Sequence, residues 1–309
     1  MKNKYIIAVD LGGTNLKVAV LDPKLKIIRK EIFSTRISKT KSLLIGTIIF
    51  SINKVIGDCR LKKAQILGVG LGVPGPVDQE SGVVHFFPNI PGWKEVRLKE
   101  ILQRKTGLSV NLDNDAKVMA LAEYTLGAAK KSKNALCITL GTGVGGGIII
   151  GNSLYRGANN AAGEVGHMPI NENGPRCNCG GIACLESYVG NNTILREARK
   201  VFKRKISLEE LSLLARRKNK KAIRIWKDVG RRLGIALSGV VNLLNLDVIV
   251  IGGGIANSGP LLFNAVRNTI KERAMSVQAR HVRVVGAKMG ACSGLFGAAI
   301  MVKQAKEIL

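Results

Sequence analysis

The sequence predicts a mixed α/β protein of two domains around a cleft. Two observations carry this. Short apolar runs rich in Val and Ile alternate with longer helix-patterned segments, the pattern of strands and helices in turn. Two glycine-rich strand–turn–strand units also stand one in each half, at 5–21 and 135–150, with a third glycine turn at 252–254. The 309 residues suffice for one large or two ordinary domains.

Residues 5–10, YIIAVD, read as a buried strand ending in Asp10. The turn LGGTN follows, and KVAVLD forms a second strand. After the Asp22-Pro23 turn, IIRKEIFSTR makes a third. The run at 45–56 is helical in pattern, and AQILGVGLG at 64–72 is another strand. Three antiparallel-type strands before the first helix differ from a Rossmann opening, where the first strand runs directly into a helix. A second cycle follows. LSVNLDND (108–115) is a strand, AKVMALAEYTLG a helix, and NALCITLGTGVGGGIIIG two strands joined by a glycine turn. Beyond a cysteine cluster the chain is mostly helical to about 245; DVIVIGGGIA (247–256) returns to strand and turn, and helices close the chain.

Composition excludes several classes. Hydrophobic residues make up 46% of the chain, and no low-complexity tract or fixed-period repeat is present. Only five apolar residues lie between Lys4 and Asp10, too few for a signal-peptide core. The uncharged stretch from Ala135 to Tyr155 contains six glycines, which argues against a lipid-facing helix. Cys59, Cys137 and Cys292 sit alone in apolar surroundings, as reduced cysteines do in a cytosolic protein, so a cytoplasmic location is expected. The formal net charge is +27. Between Arg196 and Arg232, 15 Lys or Arg stand against four acids, on helix-patterned sequence that Ser207 and Glu210 open with a capping-box pattern. Few aromatics interleave with these charges, so the stretch reads as a solvated basic face rather than a nucleic-acid patch.

GLGVPG (70–75) and GTGVGG (141–146) both match GxGxxG, but neither opens a helix. A dinucleotide fingerprint requires that helix, so an NAD site is excluded on context. The Walker pattern is absent. What remains is hairpin turns presenting backbone N–H groups to phosphates. Asp10, just before GGTN, would supply a carboxylate for Mg²⁺, held through water.

At this point the residues resemble a known family. LGTGVGGGIIIGNSLYRGANNAAGEVGH (140–167) and CNCGGIACLE (177–186) are similar to the signature of the ROK family (repressor, open reading frame, kinase). DLGGTN (10–15), VPGP (73–76), NIPGW (89–93) and DNDA (113–116) fit it in order, so the resemblance spans essentially the whole chain. It implies the actin-like ATPase (ribonuclease H-like) fold. A small domain at 1–115 would be completed by a C-terminal helix at about 295–309, and a large domain at 116–294 would carry a zinc segment at 167–184. NIPGW and the short N-terminus resemble the glucokinase branch. The family's repressors carry a helix-turn-helix before the first strand, whereas four residues precede Tyr5 here, so a DNA-binding role is not expected. Ala183 stands where the family usually has Gly, and a small adjustment is expected there.

The resemblance implies an ATP-dependent hexose kinase, with glucose going to glucose 6-phosphate. The alternatives are an N-acetylmannosamine, N-acetylglucosamine, fructose or allose kinase, or a nucleic-acid-binding, sugar-responsive regulator. Asp115 would be the general base. Phosphoryl transfer to a hydroxyl needs such a carboxylate, although Asp also caps helices well. Gly75, Asn89, Asn114, Glu164, His167 and Glu186 would bind sugar. Asp10, Gly12, Gly13, Thr14, Asn15, Lys17, Thr142, Gly143, Gly253 and Gly254 would serve MgATP. His167, Cys177, Cys179 and Cys184 offer four soft ligands, enough for a closed tetrahedral Zn²⁺ site of structural role. The alternatives are a disulfide, disfavoured by reducing cytosol and by C-x-C geometry, and, as a small residual, an iron–sulfur centre. A homo-oligomer, dimer or tetramer, is implied, and no membrane partner.

Overall fold

The computed structural model describes residues 4–35, 40–87, 90 and 92–307. Its strands and helices follow the chain as β1 (Tyr5–Leu11), β2 (Asn15–Leu21), β3 (Ile27–Ser34), α1 (Lys41–Asp58), β4 (Ile66–Val73), the short β5 (Val77–Asp78), β6 (Val83–Phe86) and β7 (Lys94–Val96), α2 (Leu98–Thr106), β8 (Val110–Asn114) and α3 (Asp115–Thr125). There follow β9 (Ala135–Leu140), β10 (Val144–Ile150), β11 (Ser153–Tyr155), α4 (Glu186–Val189), α5 (Asn191–Phe202), α6 (Leu208–Arg216), α7 (Lys220–Leu244), β12 (Val248–Gly252), α8 (Pro260–Arg273), α9 (Ser276–His281), β13 (Arg283–Gly286) and α10 (Ser293–Glu307). Two units result. One comprises Met1–Thr125, Arg156–Ala162 and Ala291–Leu309; the other comprises Leu126–Tyr155 and Gly163–Gly290.

The first unit is built on a sheet of order β3-β2-β1-β4-β8. β1 pairs antiparallel with β2 and parallel with β4, and β4 pairs parallel with β8. Both faces are covered, which is why β1 reads as an unbroken apolar run rather than an alternating one. Ile7, Val9 and Leu11 pack with α1 and α2 residues such as Ile48 and Leu102, while Ile6 and Ala8 pack with Val118 of α3 and Ala298 of α10. The α10 backbone comes so close that a Cβ at Gly70 would lie 2.0 Å from the Ala298 carbonyl oxygen. That contact needs the glycines of ILGVGLGV.

The second unit repeats the plan with a sheet of order β11-β10-β9-β12-β13. Its core holds Leu136, Ile138, Ile249 and Ile251 against Trp226, Leu233 and Leu237 of α7 and Val266 of α8. Mid-helix glycine costs about 1 kcal/mol relative to alanine. Gly230 and Gly234 of α7 accept that cost because α8 packs on them: added Cβ atoms would lie 2.6 Å from Ala265 Cβ and 2.5 Å from Thr269 Cβ. Among the described residues, no helix is long and apolar enough to cross a membrane.

Candidate active site

In the first unit, strand register gathers the sequence-predicted residues. Asp10 lies opposite Gly72, Gly72 opposite Asp113, and Val73 opposite Asn114. Asp10, the turn after Val73 and the β8–α3 junction therefore share the C-terminal edge of three parallel strands, where open α/β sheets bind ligands. Lys17, opposite Asp10 on β2, donates to Asp10 Oδ2 at 3.0 Å and to the Ala291 carbonyl at 2.9 Å. A Cβ at Gly294 would sit 2.4 Å from Asp10 Cγ, so the start of α10 leans directly on this carboxylate. Gly12 and Gly13 form the turn, closed by the Gly12 N–H donating to the Asn15 carbonyl at 2.9 Å; Thr14 is exposed.

Asp115 is the first residue of α3. Its Oδ1 accepts from the Ala116 N–H at 2.8 Å. Asn114 Oδ1 accepts from the N–H groups of Ala116 at 3.0 Å and Lys117 at 3.2 Å, while its Nδ2 donates to the Gly75 carbonyl at 3.0 Å. Asn114 thus caps the helix and pins the Gly75 turn, leaving one amide hydrogen for a ligand. Asn89 lies outside the described residues.

Sequence reasoning missed the segment 156–162, which packs with the first unit although it follows β11. Arg156 donates to Asp113 Oδ2 through Nη2 at 2.9 Å and Nε at 3.2 Å, and Asp113 is only 2% exposed. The buried Lys117 ammonium donates to the Asn160 carbonyl, and Asn160 Nδ2 to Asp78 Oδ1 at 3.2 Å. The signal was present: charged residues at 113 and 117, flanking Asp115 on otherwise apolar elements, must find partners when buried.

In the second unit, Gly141–Gly143 turn β9 into β10, with the Gly141 N–H donating to the Gly143 carbonyl at 2.9 Å; Thr142 is exposed. Gly253 and Gly254 follow β12, and Gly253 takes φ +87. Its φ and the Leu140 carbonyl, 2.2 Å from where a Cβ would stand, both require glycine. Glu186, first residue of α4, reaches the first of these turns: its Oε2 accepts from the Val144 N–H at 2.8 Å. A Cβ at Gly143 would come within 2.5 Å of that oxygen. The run VGGG has a packing role as well, since the Gly163 carbonyl lies 2.4 Å from a Cβ built at Gly146, and Gly166 meets the Val144 carbonyl at 2.2 Å. Glu164 and His167 are held by this close approach to β10.

The ligand atoms of His167, Cys177, Cys179 and Cys184 all lie within 4.8 Å of one another. His167 Nδ1 is 3.7 Å from Cys177 Sγ, and Cys179 Sγ is 3.7 Å from Cys184 Sγ. Tetrahedral zinc–sulfur bonds of about 2.3 Å place neighbouring ligands about 3.8 Å apart, so the donor set fits zinc. All the cysteines are free thiols. Burial pushes the Cys184 thiol up to about 12, reinforced by its hydrogen bonds with Cys179 and Cys177. The Gly181 N–H, 3.4 Å from Cys179 Sγ, holds that thiol below its ordinary range. The segment is knit by two short antiparallel bridges, Pro169–Cys184 and Arg176–Ile182. His167 Nε2 points the other way, 3.9 Å from Glu164 Oε2. Ala183 is fully buried at φ +57, a left-handed conformation that glycine adopts at less cost.

Residues 6–305 match the ROK family model. The glucokinase of Thermotoga maritima is 32% identical over 98% of this chain and 99% of its own length. A putative xylose repressor of Caldicellulosiruptor is 30% identical over 96% of this chain and 77% of its own. Among solved structures, the ROK family glucokinase of Streptomyces griseus in complex with glucose and AMPPNP superposes with a TM-score of 0.85 at 30% identity, covering 97% of this chain and 99% of that one.

Proposed function

The chain belongs to the ROK family, and on that premise we propose that it is an ATP-dependent hexose kinase acting on glucose at O6. The observation that carries the reading is the shared strand edge in the first unit. Asp10 with its GGTN turn, the Gly75 turn and Asn114–Asp115 stand at adjacent strand ends by register. A phosphate turn and a helix-opening carboxylate in that relation suit transfer to a hydroxyl.

Asp115 orients the sugar hydroxyl and accepts its proton as the oxygen attacks the γ-phosphorus in line, while the bond to the β,γ-bridging oxygen breaks and ADP leaves. Its Oδ1 is already steered by the Ala116 N–H. Asn114 and the Gly75 backbone bind further hydroxyls, with Asn89 retained from the family motif. Glu164, His167 and Glu186 are the further sugar-binding residues that the family resemblance implies. The turns at Gly12–Asn15 and Thr142–Gly143 offer N–H donors to the β- and γ-phosphates, and Gly253–Gly254 lies along the adenosine. Lys17 adds a cation beside Asp10, and Asp10 is the residue that would hold Mg²⁺, which when bound would supply positive charge to the phosphates. His167, Cys177, Cys179 and Cys184 would hold zinc, and four protein ligands would give that metal a structural role. Xylose repressors share the family at similar identity, which makes turnover the deciding property.

The test is coupled ADP release over a panel of hexoses and N-acetylhexosamines. Glucose should give the highest kcat/KM. Preference for another sugar would move the substrate and keep the kinase; no turnover with any of them would overturn the reading.

A further inference from the structure

The basic run at 196–232 takes no part in the proposed kinase site. In the structure it borders a groove of about 950 Å³ on the second unit, lined by α4, α5 and the first half of α7. That volume is at the large end of the range for ligand clefts. Val201 and Ile225, both half-buried, supply the accessible aliphatic wall, while Ile194 and Val229 lie beneath it in the core. On α7, Lys221, Arg224, Lys227 and Arg231 recur at spacings of three and four, so they stack along one helix face beside that wall.

The two acids of the lining are already engaged. Asp228 accepts from Arg231 at 2.9 Å and Arg232 at 2.8 Å, and Glu197 accepts from Lys200 at 3.0 Å. Lys221, Arg224 and Lys227 are exposed and have no hydrogen-bond or ion-pair partner among the described residues. A row of free cations beside an aliphatic wall is complementary to a ligand with both acids and apolar side chains.

We propose that this groove docks an acidic amphipathic helix from a different protein. Its apolar stripe, at spacings of three and four, would lie on Val201 and Ile225, and its flanking acids would face Lys221, Arg224 and Lys227. A nucleic acid fits less well. Tyr188 is the one aromatic among the lining residues and already lies 4.8 Å beneath the Arg232 guanidinium, so no stacking platform is free. The same face of a second copy is a poor occupant, because it would bring Lys221, Arg224 and Lys227 against their own counterparts. The chain's own segments are poor occupants, because 21 acids stand against 48 Lys and Arg.

The test uses the full-length protein and a fluorescein-labelled peptide of about 18 residues, five helical turns, with Leu at i, i+3, i+4 and i+7 and Glu on the flanks. Anisotropy is read at about 150 mM salt, where distant charges are largely screened. The peptide should bind at least about tenfold more tightly than a scrambled peptide of the same composition, and Lys221→Glu/Arg224→Glu/Lys227→Glu should weaken it by at least about tenfold. The triple variant alters solvent-facing positions and should keep sugar-dependent ADP release. Loss of that release in both proteins would bear on the kinase reading alone. Equal binding of the scrambled peptide, unchanged binding by the triple variant, or no binding would overturn the proposal. So would tighter, triple-sensitive binding of oligo(U), which would reassign the groove to nucleic acid.

Discussion

Asp115 stands where β8 hands over to α3, its neighbour Asn114 spending amide atoms on the helix cap and on the Gly75 turn. That division of labour leaves Asp115 replaceable without loss of the junction. Asp115→Asn should retain sugar binding by calorimetry and lower kcat by about a hundredfold to ten-thousandfold, the range for a lost general base. Glu186 behaves differently, because its carboxylate accepts from the Val144 N–H of the glycine turn. Glu186→Gln should raise KM for ATP as well as for sugar, whereas Glu164→Gln should raise KM for sugar alone; steady-state kinetics in both substrates separates them. At Ala183 two effects oppose. Glycine would relieve about 1 kcal/mol of left-handed strain and forfeit a buried methyl of similar worth, so Ala183→Gly should leave thermal stability nearly unchanged. Ala183→Val, β-branched at φ +57, should lose bound metal.

At the scale of elements, glycines and one carboxylate organise the second unit. Gly230→Val would drive a side chain into Leu262 and Ala265 of α8 and should cost about 1–3 kcal/mol in urea unfolding. Asp247 joins three strands: its Oδ2 accepts from the N–H groups of Lys133 at 2.8 Å and Asn134 at 2.9 Å, and the Arg283 N–H donates to its carbonyl at 3.1 Å. The Asn134 N–H holds its carboxyl below the ordinary carboxylate range, with His281 and the Lys133 N–H acting in the same direction. A lowered folded-state value stabilises above the unfolded value of about 3.9 and is lost as pH falls through the folded one. Asp247→Asn should therefore cost about 1 kcal/mol at pH near 7, and the difference should vanish in strong acid. Much at this scale was legible in the sequence. β1, β2, β8 and the glycine turns stand where apolar runs and LGGTN or GTG place them, and the candidate metal ligands sit close enough in the chain for local turns to gather them. The partners of Asp113 and Lys117 were not legible, because Arg156 and Asn160 are about 40 residues away and their pairing depends on tertiary packing. The VGGG run was read as a phosphate device, while the close approach of residues 163–166 to β10 also requires it; a sequence does not show which backbone a glycine admits.

For the whole molecule, the family motifs from DLGGTN to CNCGGIACLE fall in two units of the same plan, each a five-stranded sheet with helices on it. The His/Cys segment proposed to hold metal belongs to the second unit and leads through Cys184 into Glu186. Stripping metal with a chelator should weaken glucose binding by at least about tenfold, as losses around metal sites commonly do, and weaken nucleotide binding less. Unchanged glucose affinity in metal-free protein would separate the metal from the sugar site. The formal charge of +27 favours encounter with anionic nucleotide, so KM for ATP should rise with salt more steeply than KM for glucose. The central claim is a kinase whose base is Asp115, and it is tested most directly by glucose-dependent ADP release from MgATP in the wild type and in Asp115→Asn, paired with glucose binding by calorimetry. The account predicts turnover in the wild type, and in the variant intact binding with turnover reduced at least about a hundredfold. Near-normal turnover by Asp115→Asn would contradict it.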